Sequence, residues 1–181
     1  MALRSLFRTK AGADVAGEVY AAIVAKARQP YFYESLGVAD TIDGRFDMLV
    51  LHAVLLVRRL KGGSPAAREL SQNVFDRMFE DMDGSLREMG VGDPSVGKRV
   101  RKMGEMFYGR AVAYGEALDR DDAGALEAAV ARNVFPDGGD AHNISALARY
   151  CRTAARLLDG QAEAALLKGD VRFPPPEAES P

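Results

Sequence analysis

Cysteine and histidine are scarce in this chain of 181 residues, which contains one cysteine, Cys151, and two histidines. A single thiol excludes an internal disulfide and is typical of a protein that folds in a reducing compartment. Two histidines are too few for a histidine-rich metal site, and no Cys/His spacing for zinc is present. The sequence therefore predicts neither a metal nor a cofactor.

Neither sign of charge is in excess, because 24 basic residues stand against 26 acidic ones and the formal net charge is −2. Proteins that bind nucleic acid usually show a strong basic excess, so we expect no direct contact with nucleic acid. The N-terminus also lacks the apolar core of a secretory signal peptide, which predicts a cytoplasmic protein.

Long apolar runs are absent as well. The most apolar stretch, MLVLHAVLLV at 48–57, has ten residues, whereas a helix that crosses a bilayer needs ~20. Because this stretch is apolar on nearly all sides, we interpret it as the central, fully buried helix of a bundle. For His52 within it, a hydrogen-bonded core position is favoured over a metal or catalytic role.

Helix-forming residues are abundant and β-branched runs are scarce, which predicts an all-α fold. We expect a single-domain bundle of six or seven helices over residues 12–173. A flexible basic N-terminus (1–11) would precede it, and a disordered, proline-rich acidic tail (174–181) would follow. Leu3, Leu6 and Phe7 alternate with basic residues, so this terminus is either frayed or a turn that touches a membrane.

Caps and glycines set the expected helix ends. Ser64-Pro65 is a typical helix start, Asp93 should cap a helix from Pro94, and Gly90 should end the preceding helix in a left-handed turn. The helices predicted on these signals span 13–28, 40–61, 65–89, 94–118, 123–135, 143–159 and 161–168.

The helix predicted over 65–89 has a regular apolar face next to a charged row. Its apolar residues recur at helical spacing, which predicts a buried face formed by Phe75, Met78, Phe79, Met82, Leu86 and Met89. The charged row lies about a quarter turn away and contains Asp76, Glu80, Asp83 and Arg87. Carboxylates at the edge of a core need partners.

Arg110 lies on the apolar stripe of the following helix, where a cation needs an anion. We expect that anion to be Asp76, Glu80 or Asp83, which predicts a charged seam between the two helices. Gly97, Gly104 and Gly115 share another line of this helix, and glycines inside a helix suggest the close approach of a second helix.

The spacing of several acidic residues also suggests an alternative function, as an enzyme. Asp43 with Asp47, and Asp76 with Glu80, place two acids on one helix face, where they could hold Mg²⁺ against a prenyl diphosphate. A salt-bridged flank with Arg87 and Arg110 is the favoured reading of these acids. Glu-x-x-His, GxxxxGK[ST] and GxSxG motifs are absent from the sequence.

Several uncommon runs nevertheless resemble one known family, the ubiquinol–cytochrome c chaperones. The runs are GVADTIDGRFD (37–47), FDRMFEDMDGSLREMGVGD (75–93), FYGRAVAY (107–114) and ARNVF (131–135). Because no organelle-targeting presequence is visible, the chain resembles a bacterial member.

The resemblance implies a non-catalytic assembly factor for respiratory complex III that binds newly made cytochrome b. It also implies a small partner protein, contact with the ribosome, and a peripheral position at the cytoplasmic face of the inner membrane.

The resemblance supplies no catalytic or binding residues. From the residues themselves we expect a partner-binding surface that joins the aromatic loop Tyr31, Phe32 and Tyr33 to the charged residues Asp76, Asp83, Arg87 and Arg110. The alternative is that the aromatic side chains anchor the loop to the core and the charged residues form an internal network that fixes helix packing.

Overall fold

The computed structural model of the protein describes residues 10–176, which form one helical bundle without a strand. The predicted all-α, single-domain fold is thereby confirmed, with six long helices and two short ones. In chain order the elements are α1 (Lys10–Ala27), α2 (Pro30–Glu34), α3 (Ile42–Lys61), α4 (Pro65–Glu88), α5 (Asp93–Asp119), α6 (Ala123–Val134), α7 (Ala141–Gly160) and α8 (Glu163–Leu166).

Helix α3 is the central element, as predicted. It packs against α1, α4, α5, α6 and α7, and every residue from Phe46 to Leu56 is buried. Thr41 caps it, since its Oγ1 accepts a hydrogen bond of 3.1 Å from the amide of Gly44. A Cβ atom at Gly44 would lie 2.0 Å from the carbonyl oxygen of Ala39, so this tight entry requires glycine.

His52 is a hydrogen-bonded core residue, as expected. Its Nδ1 lies 2.8 Å from the carbonyl oxygen of Met48 and its Nε2 lies 2.8 Å from the hydroxyl of Tyr150. A carbonyl can only accept, so Nδ1 carries the proton and Nε2 accepts from Tyr150. Burial lowers the pKa of His52 to about 4, which keeps the ring neutral.

Residues Tyr31 to Tyr33 form part of a short helix, α2, and the predicted loop is wrong. Pro30 ends the preceding helix but also occupies the first position of α2, where its fixed φ suits a helix start. Phe32 is completely buried, and its ring centroid is 5.0 Å from that of Tyr150. Tyr33 donates a 2.7 Å hydrogen bond from its hydroxyl to the carbonyl of Ala27. These two aromatic side chains therefore fasten α2 to the bundle.

The predicted ends of α4 are confirmed. Ser64 Oγ accepts a 3.2 Å hydrogen bond from the amide of Ala67. At the other end Gly90 has φ +79°, and the amide of Val91 donates to the carbonyl of Leu86 at 3.1 Å. This is the Schellman arrangement that a left-handed glycine permits.

Two other predicted details are wrong, and a third is correct only in part. Asp93 does not cap α5, because Gly92 occupies the cap position and the Asp93 carboxylate pairs with Arg87. Asp140 rather than Asn143 caps α7, accepting from the amide of His142 at 2.8 Å. The third concerns the line of glycines on α5. At Gly104 a Cβ would lie 3.8 Å from the ring of Phe79 in α4, so a helix approaches there, but a Cβ at Gly97 or Gly115 would meet no atom of the described chain within 4 Å.

The chain ends differ partly from expectation. Residues 1–9 and 177–181, which hold most of the predicted basic terminus and most of the predicted tail, lie outside the described residues. Pro174 and Pro176 were expected in the tail, but both are buried. Lys26 Nζ also donates a 3.1 Å hydrogen bond to the carbonyl of Pro174. The packed part of the chain therefore reaches Pro176.

One end of the bundle is held by charged side chains. Arg58 of α3 donates from Nε to Asp119 of α5 at 2.8 Å and from Nη1 to Asp159 of α7 at 3.0 Å. Arg59 also donates to the carbonyl oxygens of Leu158 and Gln161 at the end of α7. The start of α3, about 24 Å away along its axis, is where the candidate site lies. Across residues 10–176, no helix has the length and hydropathy needed to cross a membrane.

Candidate functional site

A groove opens where the end of α1, the start of α3, the end of α4 and the first turns of α5 meet. Its cavity measures about 210 Å³, room for one or two large apolar side chains. The lining residues are Tyr20, Val24, Arg28, Ile42, Arg45, Phe46, Leu49, Asp81, Met82, Ser85, Leu86, Met89 and Met103.

The inner wall of the groove is apolar, and its accessible rim combines apolar side chains with two exposed arginines, Arg28 and Arg45. Phe46, Leu49 and Leu86 are buried at its base. Ile42 and Met89 at the opening are 68% and 50% exposed, although the periodicity of α4 predicted Met89 to be buried. Exposed apolar side chains around a concavity are typical of a site that binds an apolar partner.

Methionines line the groove from two helices: Met82 and Met89 from α4, and Met103 from α5. A thioether side chain is unbranched and polarisable, so it can fit apolar partners of different shapes. The wall is therefore adaptable.

A hydrogen bond crosses the groove wall between α1 and α4. The hydroxyl of Tyr20 donates to Asp81 Oδ2 at 2.8 Å. Burial, followed by the hydrogen bond to Asp81, raises the pKa of Tyr20, so its hydroxyl remains a donor at neutral pH. This contact fixes the spacing of the two helices beside the apolar opening.

An ion pair lies directly behind the groove. Arg110 Nη2 is 2.6 Å from Asp47 Oδ1, and both side chains are more than nine-tenths buried. Burial raises the pKa of Asp47, while the charge and hydrogen bond of Arg110 oppose that shift. The guanidinium also lies 5.9 Å from the ring centroid of Phe46, which is part of the groove wall.

The predicted partner of Arg110 is therefore wrong. The anion is Asp47 of α3, not Asp76, Glu80 or Asp83 of α4. Arg110 does need a buried anion, as expected, but that anion comes from the central helix. Arg110 Nη2 also donates a hydrogen bond of 3.4 Å to the carbonyl oxygen of Asn133.

The acidic row of α4 makes local contacts instead of a seam with α5. Asp76 accepts from Gln72 Nε2 at 2.8 Å, and Glu80 lies 3.7 Å from Arg77. Arg87 pairs with Asp83 at 2.5 Å and also with Asp93. Arg87 therefore ties the end of α4 to the start of α5, and its pKa is raised mainly by its hydrogen bond to Asp83.

The acidic pairs proposed for Mg²⁺ do not belong to a larger cluster of potential ligands among residues 10–176. Asp47, one member of the pair with Asp43, is engaged by Arg110. No group of three or more potential ligands occurs in the described part of the chain. The described residues thus give the prenyl-diphosphate alternative no additional support, and it remains a prediction.

The residues predicted to bind a partner lie in different surroundings. Phe32 is in the core with His52 and Tyr150, and Tyr31 and Tyr33 are half-buried against that core. Arg87 lies at the α4–α5 turn, and Arg110 is inside the bundle. Any role of these residues in binding a partner remains a prediction.

Sequence reasoning did not identify the groove. Two signals could have indicated it: methionines on two successive helices, and Ile42 in the first position after a helix cap, where its side chain would be exposed. Neither is specific, because methionines at helical spacing usually belong to the core.

Three comparisons with known proteins agree on the family. A family model described as "Ubiquinol-cytochrome C chaperone" matches residues 34–173. The crystal structure of the Cbp3 homolog from Brucella abortus superposes with a TM-score of 0.86 at 43% identity, covering 93% of each chain.

Two curated relatives are similar along most of this chain. Ubiquinol-cytochrome-c reductase complex assembly factor 1 of Xenopus laevis is 27% identical over 159 residues, which is 87% of this chain and 79% of that protein. Protein CBP3, mitochondrial, of Saccharomyces cerevisiae is 31% identical over 153 residues, which is 81% of this chain but 45% of that protein. The match thus covers less than half of the yeast relative. The family model, the shared fold and these sequence identities together show that the chain belongs to the ubiquinol–cytochrome c chaperone family.

Proposed function

We propose that this protein is a non-catalytic assembly chaperone for ubiquinol–cytochrome c reductase, and that its client is newly made cytochrome b. Two relatives of the chain, from Xenopus laevis and Mus musculus, carry the name of assembly factor for that complex. Family membership supports the class of function, and the groove supports the way in which a client is held.

The observation that carries the proposal is the apolar, methionine-lined groove with Ile42 and Met89 exposed at its opening. A newly made membrane protein presents apolar helices before its own contacts are complete. The groove can cover large side chains of such a helix, and the thioethers of Met82, Met89 and Met103 can adjust to them. No covalent step is required for this action.

The proposed place of action is the cytoplasmic face of the inner membrane, where the client would be met during or after insertion. A small partner protein and the ribosome would be further contacts in this setting. These expectations come from the family resemblance.

The test is a charge placed at the groove opening. In a bacterium that carries this gene, Ile42→Asp/Met89→Asp should lose co-purification of cytochrome b from solubilised membranes and lower the amount of assembled reductase. Other respiratory complexes should remain at normal levels. Both side chains are exposed, so the variant should melt close to the wild-type temperature.

Leu157→Asp is the matched control, because Leu157 is an exposed apolar residue of α7 that does not line the groove. It should keep both capture and assembly. Normal cytochrome b capture by a folded Ile42→Asp/Met89→Asp variant would rule out the groove as the client site. Normal levels of reductase after deletion of the gene would rule out the function itself.

A further inference from the structure

The outer face of α5 carries an apolar centre that no part of residues 10–176 covers. Tyr108 is 62% exposed and Val112 is 59% exposed. They belong to a stripe whose members recur at alternating steps of three and four residues. This outer stripe consists of Lys98, Arg101, Glu105, Tyr108, Val112, Gly115 and Asp119. Residues at these steps share one face of a helix, so Tyr108 and Val112 lie at the centre of a line with charged residues at both ends.

Charge is distributed unevenly along the outer stripe. The first half is mainly basic, because Lys98 and Arg101 on the stripe and Lys102 beside it outnumber the single acid, Glu105. The second half is acidic, with Glu116 next to the stripe and Asp119 on it. Both acids stay more than half exposed in their existing pairs with Arg120 and Arg58. The apolar pair Tyr108 and Val112 lies between the two halves.

We propose that the outer stripe of α5 binds the same stripe of a second copy of this chain in an antiparallel, two-fold symmetric dimer. With Tyr108 and Val112 at the centre, the basic half of each helix faces the acidic half of the other. A parallel arrangement would place like charges side by side. The stripe is thus complementary to itself in one orientation, as a two-fold interface requires.

Glycines on this side of α5 support the close approach of a second helix. Gly109 is exposed, and a Cβ atom at Gly109 or Gly115 would meet nothing within 4 Å. A glycine inside a helix costs stability, and the space around these two is unused within the described chain. A second helix that crosses here would use that space. The inference is independent of the client groove, which lies on another side of the bundle.

Analytical ultracentrifugation of the full chain tests the dimer. The wild type should sediment as a monomer–dimer equilibrium whose dimer fraction rises with concentration and falls with added salt. Val112→Asp should weaken the dimer by at least tenfold without changing the circular dichroism spectrum. Leu157→Asp, an equal change on α7, should leave the equilibrium unchanged.

Charge reversal then tests the orientation. Arg101→Glu and Glu116→Arg should each be monomeric alone, because each places like charges opposite one another. An equimolar mixture of the two variants should form a dimer, since both contacts become attractive again in the mixed pair. Rescue in the mixture is expected for an antiparallel two-fold pair and not for a general loss of folding.

A wild type that is monomeric at every concentration overturns the proposal, and so does a dimer that survives both Val112→Asp and Tyr108→Asp. If the protein is monomeric but its stripe variants lose binding to vesicles of phosphatidylcholine with phosphatidylglycerol, the stripe faces lipid and the dimer is wrong.

Discussion

Arg110 of α5 and Asp47 of α3 form an ion pair inside the bundle, with 2.6 Å between Nη2 and Oδ1. Removal of one partner leaves a buried charge without a counter-ion, which typically costs about 3–5 kcal/mol. We expect Asp47→Ala to lower the free energy of unfolding by that amount, measured by urea denaturation. Replacement of both by apolar residues, in Asp47→Leu/Arg110→Met, should restore most of the loss.

The comparison of single and double variants also decides what the pair does. If both single variants cost less than about 1 kcal/mol, as exposed pairs do, the pair is solvated and does not support the groove wall. If the double variant is stable but captures less client, the cation over the Phe46 ring shapes the groove beyond its effect on folding.

Stability should fall in acid because of His52. Burial lowers the pKa of this ring to about 4 in the folded protein, whereas an unfolded histidine has a pKa near ~6.5. The unfolded state therefore binds a proton first as the pH falls. The contribution of neutral His52 to the free energy of unfolding is fully present above pH ~6.5. It is lost progressively down to pH 4, by about 3 kcal/mol in total.

Urea denaturation from pH 7.5 to 4 measures this loss. His52→Gln should show a flatter dependence of unfolding free energy on pH, with a lower starting stability. His142→Gln, a change at the exposed histidine, should keep the wild-type slope. An identical slope in all three proteins would show that carboxyl groups, and not His52, cause the loss.

Gly44 should not tolerate alanine. The new Cβ would lie 2.0 Å from the carbonyl oxygen of Ala39, so the chain entering α3 would have to move, at a cost of roughly 1–3 kcal/mol. Gly17→Ala in α1 is the control, because a Cβ there meets nothing within 4 Å and alanine favours the helix by up to ~1 kcal/mol. Thermal melts should therefore shift in opposite directions.

Features that depend on a few adjacent residues could be predicted from the sequence. Ser64 and Gly90 act at the helix ends where their chemistry indicated, because a cap or a left-handed turn is decided within about four residues. The apolar 48–57 stretch indicated a buried central helix for a similar reason: it has no polar face to expose.

Features that depend on distant pairs could not be predicted. Arg110 required an anion, but its sequence pattern does not say which helix supplies it, and Asp47 is 63 positions away. Pro30 illustrates a different limit, since the same residue can end one helix and start the next. The groove is a space between four helices, so no single pattern encodes it.

Arg58 joins α3 to α5 and α7 at the pole opposite the groove. The residues that hold these three helices together are therefore separate from the residues that line the groove. A ligand that widened the groove between Ile42 and Met89 would displace helix ends that lie about 24 Å from Arg58. The ion pairs of Arg58 can keep α3, α5 and α7 in register while the groove widens. The groove and the ion pairs of Arg58 therefore lie at opposite ends of α3, and we expect a substitution at one end to leave the other unchanged.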